Sequence, residues 1–219
     1  GLMELVFFSF LHALLLTAFL ILAYRYGSLF HIGTAITGLL WLFVFSFFRD
    51  PSRKIPLETN AVVSPADGTI THVEEVDDAD FSGGRAFRIS IFLSVFNVHV
   101  NRIPFDGQVM GVRYFPGRFL DARSSDCNRV NEQLWIDLAT SQAGRWMRVK
   151  QISGAIARRI VCWLRPGEKV KKGDKLGMIK FGSRTDIYLP IETPREVLVK
   201  VGDKVRGGST ILLRFLDES

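Results

Sequence analysis

The sequence predicts a mainly β protein behind an apolar helical hairpin, and three observations predict it. Residues 5–24 and 29–48 are two runs without formal charge. After residue 60, short runs rich in Val, Ile and Phe alternate with turns built on Gly, Pro and Asp. Near the C-terminus one pattern of glycines, acids and lysines occurs twice.

The hairpin comes first. At a rise of roughly 1.5 Å per residue each run is about 30 Å long, enough to cross a hydrocarbon core. Glu4 and Arg25 are the charges before Arg49, so the net charge of +6 sits in residues 49–219. The expectation is a membrane hairpin over 1–48, transmembrane or re-entrant, then a basic linker over 49–60. A buried soluble hairpin is the competing reading, and apolar character all round each run argues against it. A signal peptide is a poor alternative, given the length of the first run and the second run behind it. His12 and His31 are expected to be neutral packing or interfacial residues. Arg49, Arg53 and Lys54 beside the hairpin place its ends on the cytoplasmic side of the cell's inner membrane. A basic domain beside an apolar segment points to anionic lipid rather than nucleic acid, for which no motif is present.

The β-rich domain is expected over 61–219. Ala61–Val63 leads into the turn Ser64-Pro65-Ala66-Asp67-Gly68, and Thr69–Val73 follows. Strands are expected within 86–99, 108–114, 134–138, 147–152 and 160–163. Residues 116–132 lack a period and read as a long polar loop, a frequent home of function. Gly167-Glu168-Lys169-Val170 through Gly173-Asp174 is echoed by Gly202-Asp203-Lys204-Val205 through Gly207-Gly208. This punctuation resembles the lipoyl/biotinyl-like barrel-sandwich fold. Lys169, Lys171, Lys172 and Lys175 form either a lipid-facing patch or a solvated turn. Cys127 and Cys162 fit no metal pattern, and no metal is expected.

The soluble part offers His72 and His99 as bases. His72 lies beside Glu74 and Glu75 and reads as a surface histidine. On a strand, Asn97, His99 and Asn101 fall on one face, as a site or as a hydrogen-bonded edge. Asp67 could orient a histidine or serve its own turn. Ser183 needs a base to become a nucleophile, and Gly182 gives the backbone freedom that attack on the preceding carbonyl requires.

Ala66-Asp67-Gly68, Asn97-Val98-His99-Val100-Asn101-Arg102, Asn131-Glu132 and Phe181-Gly182-Ser183-Arg184, in that order, together resemble the phosphatidylserine decarboxylase family in its short bacterial and archaeal form. The likeness covers about residues 49–193. It implies a proenzyme in which Ser183 attacks the Gly182 carbonyl, with His99 as base and Asp67 as its orienter. Elimination would then leave residues 1–182 as one chain and a pyruvoyl group, built from Ser183, at the head of the other. That ketone would condense with the amine of phosphatidylserine and act as electron sink while CO₂ departs, giving phosphatidylethanolamine. The likeness further implies His99 as proton donor, and Asn101, Arg102, Asn131 and Glu132 as candidate substrate-binding residues. Two departures stand out. Arg184 follows the serine where longer members have Thr, and Arg102 stands where they have a second histidine.

The partners implied are phosphatidylserine, membrane lipid and the two cleavage fragments held together. A homo-oligomer is compatible with the sequence. The rival reading is a membrane-tethered lipoyl/biotinyl-like adaptor without catalysis. Against it, the tip Ile191-Glu192-Thr193-Pro194 has no lysine to modify.

Overall fold

Branched and aromatic side chains, broken by Gly, Pro and Asp, cut the chain after residue 60 into short strands. A computed structural model describes residues 2–124, 126–142, 144–155, 159–179 and 183–216. In order the elements are α1 (Leu2–Tyr26), α2 (Ser28–Phe47), β1 (Ala61–Val63), β2 (Gly68–Asp77), β3 (Arg85–Leu93), β4 (Val100–Arg102), β5 (Gly107–Phe115), α3 (Cys127–Val130), β6 (Gln133–Thr140), β7 (Trp146–Ile152), β8 (Ile160–Cys162), β9 (Lys169–Val170), β10 (Lys175–Ile179), β11 (Ser183–Pro190), β12 (Arg195–Val197), β13 (Lys204–Val205) and β14 (Ile211–Phe215). They form two units, Gly1–Asp50 and Pro51–Ser219.

In the first unit the apolar runs fold as α1 and α2, joined at Gly27, whose φ of 93° suits a residue without Cβ. The helices pack closely where Gly33 meets Phe19; a Cβ on Gly33 would lie 2.8 Å from that ring. The expected transmembrane or re-entrant hairpin is present as two helices, and a crossing is not supported. No helix among the described residues is long and apolar enough to cross a membrane.

The second unit is mainly β, as expected. One sheet has eight strands in the order β13-β2-β3-β11-β7-β6-β5-β9, and β1-β14-β12 and β4-β10-β8 are two three-stranded sheets. Alternation gives the large sheet two different faces. Ile70, Ile89, Ile91, Val149, Ile136, Leu138, Ile187 and Leu189 line the core face. Val62, Leu213 and Phe215 from one small sheet and Leu176 from the other join them. Phe105 and Phe215 meet edge to face at 5.0 Å. Each such side chain contributes about 1.5–3 kcal/mol on burial. The opposite face is charged. There Arg148 bonds Asp137 and Asp80, Lys150 bonds Asp78 at 3.1 Å, and Phe81 stacks on Trp146.

The repeated punctuation is a repeated structure. Gly167 donates to the Val109 carbonyl and Gly202 to that of Ile70, while Glu168 and Asp203 return bonds to the same two residues. Gly167, Gly173, Gly202 and Gly208 all have positive φ. The aspartates of the two Pro-X-Asp-Gly turns correspond as well. Asp67 accepts from the Gly207 N–H at 2.8 Å, and Asp106 from the Lys172 N–H at 2.6 Å. Lys172 turns its ammonium onto the Glu58 and Ala61 carbonyls, so it braces the chain rather than facing lipid.

The glycine ending each turn is required by space rather than by φ. A Cβ on Gly68 would lie 2.2 Å from the Phe92 carbonyl oxygen. Gly68→Ala is therefore expected to lower stability by about 1–3 kcal/mol, read as a shifted urea midpoint at unchanged slope. An unchanged midpoint would show that the β2–β3 pair can separate freely there.

Candidate active site

The site begins with β11, which lies between β3 and β7 and is buried along its whole length. Ser183 is its first residue, opposite Leu93 on β3. Its side chain lies on the core face with Thr185 and Ile187, is 0% exposed, and its Oγ has no hydrogen-bond partner among the described residues. Gly182, the other half of the expected cleavage site, lies outside the described residues, as do Lys180 and Phe181.

His99 is also wholly buried and immediately precedes β4. Its Nδ1 lies 2.9 Å from the Asn97 carbonyl oxygen. A carbonyl can only accept, so Nδ1 carries a proton and Nε2 is the nitrogen that can act as base. The Asn97 side chain is used elsewhere. Its Oδ1 accepts from the N–H and hydroxyl of Ser94, closing the 94–97 turn. The expected row of three polar side chains is thus reduced to His99 and Asn101.

Asn101 is the hinge of a buried polar patch. Its Oδ1 accepts from Gln151 Nε2 at 2.7 Å and from Thr185 Oγ1 at 3.2 Å. Gln151 pairs with Thr185 across β7 and β11, and Thr185 is two residues from Ser183 on the same face. The register, continued one step, puts Ser153 across from Ser183. Asn101 Nδ2, Gln151 Oε1, Ser153 Oγ and Ser183 Oγ are all buried without hydrogen-bond partners among the described residues.

The other expected site residues are differently employed. Asp67 is held by Arg53 at 3.0 Å and by the Gly207 N–H, and the proton on His99 Nδ1 goes to Asn97 instead. The expected Asp67–His99 contact is therefore not made at that nitrogen, because the turn and the linker claim the carboxylate. Arg102 donates to the Gly173 and Pro51 carbonyls and pins the entry of the chain into the β unit. Asn131 satisfies its amide on Leu120 and Ser153, fastening the 116–124 loop to the end of β7. Glu132 accepts from Tyr114 Oη at 3.1 Å, which raises the tyrosine's pKa. His72, expected at the surface, is half-buried against Thr71; burial, then Arg184 and Arg88, lower its pKa. Cys127 and Cys162 are free thiols, raised chiefly by burial.

A buried, unpaired serine at the head of a central strand, with a histidine of fixed tautomer in the same core, is the arrangement the family likeness anticipates. Residues 40–213 match the family described as Phosphatidylserine decarboxylase. The chain belongs to the phosphatidylserine decarboxylase family.

Relatives agree over most of their length. The chain is 49% identical to the phosphatidylserine decarboxylase proenzyme of Desulfotalea psychrophila, over 82% of either chain. It is 51% identical to that of Carboxydothermus hydrogenoformans, over 81% of this chain and 82% of the relative. For Rhodopirellula baltica the figures are 48%, 77% and 70%.

In this member of the family, the residue after the serine carries a second buried device. Arg184 points to the charged face, where Nε and Nη2 reach the two Asp186 oxygens at 2.7 and 2.9 Å. Nη2 also donates to Ser90 Oγ at 2.7 Å, and Nη1 lies 3.8 Å from Cys127 Sγ. Arg184 is 2% exposed and Asp186 0%. Burial alone would pull the guanidinium pKa down; Asp186 outweighs it and holds it above the ordinary value. Sequence reading missed this clamp, and it missed Gln151 and Ser153. A signal for Gln151 was present, since it interrupts an apolar alternation in β7.

Proposed function

We propose that this protein decarboxylates phosphatidylserine to phosphatidylethanolamine, using a pyruvoyl group made from its own Ser183. The observation that carries the reading is the wholly buried, unpaired Ser183 hydroxyl at the first position of doubly paired β11. A buried hydroxyl without a partner costs about 1–3 kcal/mol, so its presence needs a reason, and self-cleavage is one.

His99 Nε2 takes the Ser183 hydroxyl proton, and Oγ bonds to the Gly182 carbonyl carbon as the amide C–N bond breaks. The product is an ester with a free amine on residue 183. Loss of the residue's Cα proton then expels the Gly182 carboxylate, and water replaces the nitrogen, which leaves as ammonia. The site fits the resulting group. The strand that carries it stays bonded to β3 and β7 after the backbone is cut, and Asn101, Gln151 and Ser153 offer polar atoms beside it. A pyruvoyl carbonyl supplies an electrophile for the substrate amine and an electron sink for loss of CO₂. His99, once protonated at Nε2 with Nδ1–H still on the Asn97 carbonyl, returns that proton to the carbon CO₂ has left.

Two further parts belong to the proposal. The fragments 1–182 and 183–219 stay together, because β11 and β14 pair with strands of the larger piece. The protein works at the cell's inner membrane with the β unit on the cytoplasmic side, and its soluble fold is a lipoyl/biotinyl-like barrel-sandwich. Exposed Phe10, Leu14, Ile21, Leu39 and Phe45 on the hairpin support lipid contact without a full crossing.

The test is the purified protein itself. It should run as two polypeptides, one of about 37 residues (183–219), and release CO₂ from phosphatidylserine in detergent micelles. An intact chain that decarboxylates the lipid would sink the pyruvoyl reading. His99→Ala is expected to cut the rate of self-cleavage by about 10²–10⁴-fold, followed on a gel over time. Wild-type cleavage by this variant would remove His99 from the mechanism.

A further inference from the structure

Self-cleavage needs a serine and a base. The amide pair near Ser183 is a further feature of the site. Asn101 and Gln151 are both 0% exposed, and each leaves half of its amide unpaired in a core that is otherwise apolar. Asn101 Oδ1 already takes two donors, so its Nδ2 is a spare donor, and Gln151 Oε1 is a spare acceptor. Turning both amides over exchanges the two roles but still leaves one donor and one acceptor. Ser153 Oγ, across from Ser183, adds a hydroxyl. Unmet polar atoms of this number at one place, each costing about 1–3 kcal/mol, mark a surface complementary to a polar ligand.

We infer that Gln151 and Asn101, with Ser153 beside them, read the amino-acid end of the lipid head group. The donor of the pair takes the substrate carboxylate, and the acceptor takes the α-amine as it approaches residue 183. A neutral amide pair suits this task better than a cation, since an arginine against the carboxylate would stabilise the charge that must be lost with CO₂. The inference rests on the decarboxylase reading. Gln151 and Ser153 then act as specificity residues for a zwitterionic head group, and a carboxylate-free lipid finds the donor unmet.

The experiment compares the wild-type enzyme with Gln151→Met, both purified as full chains, in detergent micelles containing phosphatidylserine. Gln151→Met should cleave into two polypeptides as the wild type does. Its kcat/KM should fall at least about tenfold, mostly through KM, because a binding contact is removed. Inhibition by phosphatidylethanolamine, which lacks the carboxylate, should weaken less than KM rises. An unchanged kcat/KM overturns the assignment. So does a Gln151→Met chain that folds but stays uncleaved while the wild type cleaves, since Gln151 would then serve cleavage. If Gln151→Met does not fold, Thr185→Val replaces it as the variant, and a cleaved enzyme with unchanged KM overturns the assignment. A wild type that neither cleaves nor releases CO₂ overturns the decarboxylase reading itself, a result distinct from all of these.

Discussion

Ser183→Ala is expected to give a single folded chain with no decarboxylase activity. The substitution removes an oxygen that makes no hydrogen bond among the described residues. Deleting an unpaired buried hydroxyl leaves stability unchanged or slightly higher, within about 1 kcal/mol. The methyl left behind still packs at the start of β11, against Leu93. Folding and chemistry are thereby separated. A circular dichroism spectrum and urea midpoint like those of the uncleaved wild-type chain, with no fragment of about 37 residues on a gel and no CO₂ released, is the expected set of results. Cleavage of Ser183→Ala at the same bond would show that another nucleophile does the work.

The second large effect concerns the clamp on the other face of the strand. Arg184→Ala leaves the Asp186 carboxylate, 0% exposed, without its bidentate partner. Breaking a buried pair in this way costs about 3–5 kcal/mol, a large share of the stability of an ordinary domain. The melting temperature should drop sharply and the yield of folded protein with it. Arg184→Met combined with Asp186→Leu removes both charges, keeps the volume, and should recover most of that loss. The recovered double variant then asks what the clamp does beyond stability. Arg184 directly follows Ser183, and its bonds to Asp186 and Ser90 hold the start of β11 against β3. The double variant is expected to cleave, yet to decarboxylate at least about tenfold more slowly, because the reacting group is less well held. Full activity in the double variant would make the clamp a purely structural feature.

Much of the site was legible, for reasons that are local. Gly182-Ser183 followed by β-rich sequence, and a histidine between asparagines, are patterns of neighbours along the chain. The paired turns were legible for the same reason: each glycine of positive φ is demanded by its own few residues. Asp67 was legible as a turn residue and also as a partner for His99, and sequence could not choose. The structure adds Gly207 and Arg53, which reach its carboxylate from distant parts of the chain. Arg102 and Asn131 were read as substrate contacts, and sequence could not show that they also brace the chain through the carbonyls of Gly173, Pro51, Leu120 and Ser153. Arg184 was noticed as a departure, but its partner is two residues away on the same face of β11, and only burial makes that pair matter.

By itself, then, the sequence determined the mainly β class, the helical character of the two apolar runs, the turn repeat, and the family through its ordered motifs. These depend on the period of apolar residues and on backbone freedom at glycine, which each segment carries with it. The tertiary structure alone decided which polar groups meet. It set β11 between β3 and β7, brought Gln151 and Asn101 beneath Ser183, and gave Asp67 to Gly207 and Arg53. Hydrogen bonds between distant strands are fixed by register, and register emerges only when the whole core is packed.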